Sequence, residues 1–126
     1  EPIGELSNII IWNKGGGGMG DLKGTFASDF EVALVYNRGA EIKGKRLGSV
    51  WNVGKDGSST YLHPTQKPVE LSAMAIENVS TKNNLVLDFC FGSGSSIIAC
   101  INTKRNYIGC EKDVDIFNLA SERIYK

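Results

Sequence analysis

A glycine-rich turn and an acidic residue at a fixed distance beyond it carry the most specific chemistry in the sequence. Gly92, Ser93 and Gly94 follow an apolar, strand-like run, and Glu111 ends the next such run, 19 residues after Gly92. A turn of this kind at the carboxyl end of a parallel strand lets a ligand approach the backbone, where the following helix presents unpaired N–H groups. An acidic side chain at the end of the next strand can accept hydrogen bonds from two ribose hydroxyls. The pattern predicts a nucleoside-binding unit.

A second acidic residue narrows the class of ligand. Asp88 stands at the tip of the first strand, where a carboxylate suits a cationic or amino group better than a pyrophosphate. Ile97 occupies the position of the third glycine in the dinucleotide pattern GxGxxG. We therefore expect S-adenosylmethionine (AdoMet) rather than NAD or FAD. A Gly-Ser-Gly turn alone favours a structural loop over a nucleotide site, so the expectation depends on the strand, turn, helix and spaced acid together.

The elements that must position these residues form an α-β-α-β-α series in the second half of the chain. We predict strands over 85–89 and 107–111, and helices that begin at Pro68, at Ser95 and after an N-cap at Asp113. Because a strand-helix-strand connection joins parallel neighbours, the two strands should lie side by side. The inward residues of the last two helices are predicted to be Ile97, Ile98 and Ile101, and then Ile116, Phe117, Ala120 and Ile124.

The first half has shorter elements separated by glycine. Strands are predicted over 8–13, 30–37 and 49–53, and the first, an apolar run, is expected to be buried on both faces. A glycine-rich loop is predicted over 14–29 and a polar loop over 54–62. Trp12 and Trp51 are expected to pack in the interior. Both halves together indicate an α/β fold.

Composition excludes several classes of protein. The chain has 126 residues, 41% hydrophobic and 22% charged, as is typical of one folded domain. It contains no apolar run of about 18 residues, so no membrane partner is expected. Cys90, Cys100 and Cys110 are widely spaced, which indicates reduced, buried thiols in a cytoplasmic protein and no metal site.

The charge distribution is compatible with nucleic-acid binding only through a local basic patch. The formal net charge is zero, which excludes a globally basic binder. Arg38, Lys43, Lys45 and Arg46 nevertheless form a basic stretch that could contact phosphates. A solvated loop is an equally good interpretation of the same residues.

A polar segment precedes the first helix of the second half. Thr65, Gln66 and Lys67 place a hydroxyl, an amide and a cation just before Pro68. These groups, together with the positive end of the helix dipole, suit a carboxylate. Taken alone, the segment favours a proline-bounded linker with an N-cap.

Three motifs in order resemble the amino-methylating DNA methyltransferases. They are HPTQKPVEL over 63–71, LDFCFGSGSS over 87–96 and YIGCE over 107–111. The likeness is to the permuted group, in which the AdoMet-binding region follows the catalytic region. Residues 10–14 and 31–35 are similar to late strands of that family. The resemblance implies part of a Rossmann-like AdoMet-dependent methyltransferase fold.

The resemblance also implies roles for individual residues. Thr65, Gln66 and Lys67 would lie near the methionine carboxylate of AdoMet, and Glu111 would bind its ribose. Asp113 would lie near the adenine. The methionine part would be lined by Asp88, Gly92, Ser93 and Gly94. The sequence departs from the family at 89–90, where Pro-Phe is usual, and at 95–96, where Thr-Thr is usual.

The catalytic motif of that family, (Asp/Asn/Ser)-Pro-Pro-(Tyr/Phe/Trp), appears nowhere in the sequence. No catalytic residue is therefore assigned, and the chain is expected to be an incomplete, inactive fragment. It would comprise late strands and a DNA-recognition loop over 1–62 and an AdoMet-binding unit over 63–126. Without the missing central strands its own strands should not form one continuous sheet, and it could self-associate or bind the missing half.

The resulting functional expectation is a bacterial or phage DNA methyltransferase that acts in DNA methylation or restriction-modification. It would transfer a methyl group to an exocyclic amine of double-stranded DNA, with adenine N6 favoured. Three alternatives stay open: a cytosine-N4 enzyme, an RNA or small-molecule methyltransferase, and a non-catalytic AdoMet- or DNA-binding remnant.

Overall fold

The computed structural model describes residues 4–16, 23–57, 61 and 65–126. Its contacts divide the chain into two units, of which the first is Glu1–Glu41 with Arg46–Lys55 and the second is Ile42–Lys45 with Asp56–Lys126. The boundary expected between residues 62 and 63 falls outside the described residues, as do His63 and Pro64 of the first motif.

A three-stranded sheet forms the first unit. Its strands are β1 (Asn8–Asn13), β2 (Phe30–Val35) and β3 (Val50–Asn52), in the order β2-β1-β3. The β1 and β2 strands are antiparallel, whereas β1 and β3 are parallel with Trp12 opposite Trp51. All three predicted strands are confirmed, with slightly shorter bounds for the second and third.

Two tryptophans and a valine form the interior of the first unit. Trp12, Trp51 and Val53 are the buried apolar residues here, and the Trp12 indole N–H donates to the Val53 carbonyl oxygen at 2.8 Å. The expectation that β1 is buried on both faces is wrong, because Ile9 is 44% exposed. An apolar run shows which surface a sheet can bury, but burial also needs a second layer, and the first unit contains no helix of its own among the described residues.

The second unit contains a parallel pair of strands connected through a helix. Its elements are α1 (Val69–Val79), β4 (Leu85–Asp88), α2 (Ser95–Thr103), β5 (Asn106–Gly109) and α3 (Val114–Ile124). The β4 and β5 strands are parallel, from Leu85 opposite Asn106 to Asp88 opposite Gly109. The predicted β-α-β unit is therefore confirmed. Among the described residues, neither of these strands pairs with the first sheet, which agrees with the prediction that the strands of this chain do not form one continuous sheet.

Helices α1 and α2 supply the core of the second unit. Ile76, Ala99 and Cys100 are buried there, and Val86 of β4 and Tyr107 of β5 pack against them. Side chains alternate along a strand, so Leu85, Leu87 and Ile108 point away from this core and are 62%, 51% and 52% exposed.

Some predictions about individual side chains are wrong. Ile101 and Phe117 are 44% and 42% exposed although their helical spacing predicted inward positions. Cys90 and Cys110 are exposed and only Cys100 is buried. Helical spacing shows which face of a helix is apolar, and residue type shows which side chains can be buried, but exposure also depends on what packs against them. Pro68 is the N-cap of α1 rather than its first helical residue.

Candidate functional site

The two acidic residues singled out in the sequence lie at the same edge of the parallel pair. The ladder continues past the strands, because the Cys110 N–H donates to the Asp88 carbonyl oxygen at 2.9 Å and the Phe91 N–H donates to the Cys110 carbonyl oxygen at 3.1 Å. Glu111 follows directly. Since the carboxyl ends of parallel strands meet at one edge, the fold brings Asp88 and Glu111 to the glycine turn.

Asp88 joins the turn to the beginning of α2. One carboxylate oxygen accepts the Cys90 N–H at 3.0 Å, and the other accepts the Ser96 hydroxyl at 2.5 Å. A carboxylate offers about four lone-pair positions, so each oxygen can accept a further hydrogen bond. The Asp88 side chain is therefore held in place and has remaining acceptor capacity.

Glu111 joins the same turn to the loop before α3. One carboxylate oxygen accepts the Gly92 N–H at 3.0 Å and the other accepts the Asp113 N–H at 2.9 Å. The backbone hydrogen bond from Asp113 is the main cause that lowers the pKa of Glu111 below its ordinary value, and the N–H groups of Gly92 and Lys112 act in the same direction. Glu111 is therefore a carboxylate at neutral pH.

The two glycines of the turn serve different purposes. Both have positive φ, 53° at Gly92 and 81° at Gly94, which L-residues adopt only with strain. A Cβ on Gly92 would meet nothing within 4 Å, whereas one on Gly94 would lie 2.8 Å from Cδ1 of Ile124 in α3. Gly92 thus leaves space open at the site, and Gly94 lets α3 pack closely against the beginning of α2.

A pocket of about 310 Å³ lies where these groups converge, within the size range of small-molecule sites, about 300–1,000 Å³. Its walls combine acidic, hydroxyl and amide groups with two apolar side chains. They are Thr65, Gln66, Lys67, Ser72, Asp88, Cys90, Phe91, Gly92, Ser93, Ser95, Ser96, Glu111 and Ile116.

The structure brings most of the predicted cofactor residues to this pocket. Thr65, Gln66, Lys67, Asp88, Gly92, Ser93 and Glu111 line it. Gly94 and Asp113 do not line it. Gly94 faces α3, and the Asp113 carboxylate caps α3 by accepting the N–H groups of Asp115 at 3.0 Å and Ile116 at 3.1 Å. The predicted N-cap is confirmed.

Sequence reasoning missed several lining residues. Ser96 follows the turn by two positions, and its place in the first turn of a helix at a ligand site was a usable signal. Phe91 had no such signal, because its packing over Gly109, where a Cβ would lie 2.7 Å from the Phe91 ring, is a tertiary contact. That ring also lies 5.7 Å from the ring of Phe117, measured between centroids. Ser72 and Ile116 had no signal that distinguishes them from ordinary helix residues.

The predicted basic residues are all exposed. Arg38 and Arg46 belong to the first unit and Lys43 and Lys45 to the second. The Lys43 N–H donates to the carbonyl oxygen of Asn78 at 2.7 Å, so this part of the basic stretch is held near the end of α1.

Other parts of the described chain offer less. A cavity of about 480 Å³ beside α1 and β4 is lined by Ala75, Ile76, Val79, Ser80, Asn84, Leu85 and Val86, without a charged group to orient a ligand. In the residues that the structure describes, no three His, Cys, Asp or Glu side chains are grouped so that they could hold a metal ion. None of the described helices has the length and apolar character needed to cross a bilayer.

Comparison with known proteins identifies relatives over most of the chain. A family model described as DNA methylase, of the N6/N4 type, matches residues 37–122. The type II methyltransferase M2.MboI of Moraxella bovis is 34% identical over 85 residues, which cover 65% of this chain and 31% of that protein. M.HinfI of Haemophilus influenzae is 33% identical over 88 residues, covering 64% and 24%.

Solved structures share the fold. The M1.HpyAVI–SAM complex matches 94% of this chain and 61% of its own chain with a TM-score of 0.75 and 27% identity. The cytosine-N4-specific PvuII DNA methyltransferase matches 94% and 50% with a TM-score of 0.76 and 13% identity, a likeness of fold alone. The chain thus spans about a third or less of these curated relatives and half or more of these solved chains. The predicted Rossmann-like methyltransferase fold, incomplete in this chain, is confirmed.

Proposed function

The chain belongs to the DNA methylase family of the N6/N4 type, and on that premise we propose that its polar pocket binds AdoMet. The observation that carries this proposal is the convergence of Asp88 and Glu111 on the Gly92 turn within one pocket. Two fixed carboxylates beside a glycine that leaves open space suit a ligand with an amino group and a ribose. The SAM complex of a structural relative supports the same cofactor.

The residues present fit the chemistry of that cofactor. The Asp88 carboxylate can accept hydrogen bonds from the methionine ammonium group, and the Glu111 carboxylate can accept hydrogen bonds from the ribose hydroxyls. Thr65, Gln66 and Lys67 form the wall that would receive the methionine carboxylate, and Lys67 supplies a cation for it. When bound, AdoMet supplies a methyl group carried on a positively charged sulfonium.

Three predicted residues take supporting parts in this proposal. Ser93 lines the pocket beside the methionine position. Gly94 acts indirectly, by allowing the close contact with Ile124 that fixes the beginning of α2. Asp113 positions Glu111 through its N–H and begins α3 with its carboxylate, and we place it near the adenine.

Calorimetric titration of the chain with AdoMet tests this assignment. We expect micromolar binding that is lost in Asp88→Ala and in Glu111→Ala and retained in Glu77→Ala, which removes an exposed carboxylate from α1. Binding that survives both pocket substitutions would contradict the assignment. Equal losses in all three variants would indicate a general effect of acidic charge rather than a site.

We further propose that the complete protein methylates an exocyclic amine of double-stranded DNA in a bacterial or phage-infected cytoplasm, with adenine N6 favoured over cytosine N4. The curated relatives named as type II methyltransferases support this class of reaction. The sequence holds no Pro-Pro motif, and we propose that the groups that polarise the target amine lie outside it. The chain alone should then bind AdoMet without transferring its methyl group. Digestion of methylated DNA to nucleosides, followed by mass spectrometry, distinguishes N6-methyladenine from N4-methylcytosine, and an RNA-only product would refute the DNA assignment.

The exposed basic residues Arg38, Lys43, Lys45 and Arg46 are proposed to contact DNA phosphates. Their replacement by glutamine should weaken binding to duplex DNA and reduce the salt dependence of the affinity by about one unit of log-log slope for each lost contact. Lys82→Gln, which removes an exposed positive charge outside the basic stretch, provides a control. Fluorescence anisotropy at several salt concentrations measures both quantities, and an unchanged slope in the quadruple variant would contradict the proposal.

A further inference from the structure

Arg123, which lies outside the pocket, donates directly to the backbone of the glycine turn. Its Nη1 atom lies 2.9 Å from the Ser93 carbonyl oxygen, 3.0 Å from the Ser95 hydroxyl oxygen and 3.3 Å from the Ser93 hydroxyl oxygen. Arginine in the last turn of a helix ordinarily stabilises that end of the helix through its dipole. Here the guanidinium reaches 30 residues back along the chain to the loop that forms one wall of the pocket.

The Arg123 side chain is also connected to the opposite wall of the pocket through two sets of polar contacts. In the first, Arg123 Nη2 lies 3.9 Å from an oxygen of Asp56, and that oxygen accepts the Gln66 side-chain amide at 2.8 Å. In the second, the Ser95 hydroxyl accepts from Arg123 and donates to the Lys67 carbonyl oxygen at 2.6 Å. Arg123 is therefore joined to both sides of the cavity.

The groups that Arg123 contacts directly or through Asp56 are withdrawn from solvent. Gln66, Ser93 and Ser95 are 5%, 6% and 4% exposed, and the Arg123 side chain itself is 20% exposed. A buried polar group that loses its partner destabilises the arrangement unless it moves or admits water. Either response displaces residues that line the pocket.

We propose that Arg123 is a positioning residue of the cofactor pocket, which fixes the distance between the Ser93–Ser95 wall and the Gln66–Lys67 wall. The planar guanidinium suits this task because it presents several donors in fixed directions. Asp56 assists by orienting the guanidinium toward the turn and the Gln66 amide toward the carboxylate. The inference rests on the proposed binding of AdoMet and adds to it two residues that do not line the pocket.

Arg105 provides a matched control. Its guanidinium also makes three hydrogen bonds, to the Ser80 hydroxyl at 3.1 Å, the Ser80 carbonyl oxygen at 2.8 Å and the Thr103 carbonyl oxygen at 2.5 Å. These partners lie at the far ends of α1 and α2 and do not line the polar pocket. Removal of either arginine should destabilise the fold, but only removal of Arg123 should alter the pocket.

The test compares Arg123→Met with Arg105→Met, each checked for folding by circular dichroism. For Arg123→Met we expect the AdoMet dissociation constant, measured by calorimetry, to rise about tenfold or more, the loss expected for a charge-assisted hydrogen bond. Arg105→Met should bind as the wild type does. Arg123→Lys, which keeps the charge without the planar fork, should recover part of the loss. Asp56→Asn should show a smaller loss without removing an arginine.

Several outcomes would overturn the inference. Wild-type affinity in Arg123→Met, or equal weakening in the two methionine variants, would mean that Arg123 acts only on stability. Amide NMR spectra give a second readout that needs no ligand, in which Arg123→Met should shift the signals of residues 92–96 and of Gln66, and Arg105→Met should not. Failure of the wild-type chain to bind AdoMet would contradict the proposed function itself. In that case the spectra still decide whether Arg123 holds the two walls.

Discussion

Gly94 offers a quantitative test of how tightly α3 packs against the glycine turn. A Cβ at this position would lie 2.8 Å from Cδ1 and 3.0 Å from Cγ1 of Ile124, in addition to the strain of a φ of 81°. Gly92 has a similar positive φ, but its Cβ would meet nothing within 4 Å. Gly94→Ala and Gly92→Ala therefore both force an alanine into a left-handed backbone conformation, but only Gly94→Ala also produces a steric overlap, with Ile124.

The magnitudes follow from these two effects. A left-handed conformation costs an L-residue about 1–2 kcal/mol, and overpacking adds about 1–3 kcal/mol. Because the closest atom is the end of a flexible side chain, we expect the lower part of the second range. Gly92→Ala should lower the free energy of unfolding by about 1–2 kcal/mol, and Gly94→Ala by about 2–4 kcal/mol.

Urea denaturation followed by circular dichroism measures both values, and a double mutant isolates the contact. Ile124→Val removes Cδ1 and should cost about 0.5–1.5 kcal/mol by itself. Combined with Gly94→Ala, the Ile124→Val substitution should relieve the overlap. The double mutant should then lose about 1 kcal/mol less unfolding free energy than the two single mutants lose in sum. Equal effects of the two glycine substitutions, or strict additivity in the pair, would refute the argument that α3 contacts the turn at this point.

Three further predictions use other contacts of the second unit. Because the pKa of Glu111 is lowered in the folded chain, its contribution to stability should be complete above the ordinary glutamate pKa and be lost as the pH falls through the lower folded value. Glu111→Gln should flatten that part of the stability-pH curve, and an unchanged acid slope would contradict the hydrogen-bond assignment. Gly109→Ala should destabilise the chain by about 1–3 kcal/mol, because its Cβ would overlap the Phe91 ring. Thermal unfolding measures this, and a stability equal to that of the wild type within error would mean that the ring is not held over the strand. Cys90 and Cys110 should react with a thiol reagent in the folded state, whereas Cys100 should not. AdoMet should slow the reaction of Cys90 only, because Cys90 lines the pocket. Mass spectrometry of labelled peptides identifies the reacted cysteines, and equal protection of Cys110 would contradict the location of the ligand.

Much of the second unit follows from local patterns. The apolar runs, the Gly-Ser-Gly turn and the acid at the end of the next run predict a parallel pair with a connecting helix, and the structure has this arrangement. The prediction succeeds because a strand-helix-strand connection has very few geometric solutions. Even the N-cap of α3 follows from a single residue, since Asp113 is a preferred capping type directly before an amphipathic stretch.

Burial was predicted less well, for a physical reason. Periodicity reports which face of an element is apolar, but exposure depends on whether another layer covers that face. Ile9 belongs to a continuous apolar run, and Ile101 and Phe117 stand at helical spacing, yet each is substantially exposed. The sequence specifies a surface suited to burial and leaves open whether the described chain supplies its cover.

The sequence by itself determined the family motifs, the parallel unit and the two carboxylates that converge at its edge, because these depend on spacing within a short stretch of chain. Only the tertiary structure decided which neighbouring groups hold those carboxylates and the turn in place. Ser96 donates to the Asp88 side chain and the Asp113 N–H donates to the Glu111 side chain, whereas Arg123 donates to the Ser93 carbonyl oxygen from a helix 30 residues further along the chain. The Arg123 contact depends on the close approach of α3 to the turn, which the absent Cβ of Gly94 allows, because a Cβ there would lie 2.8 Å from Cδ1 of Ile124.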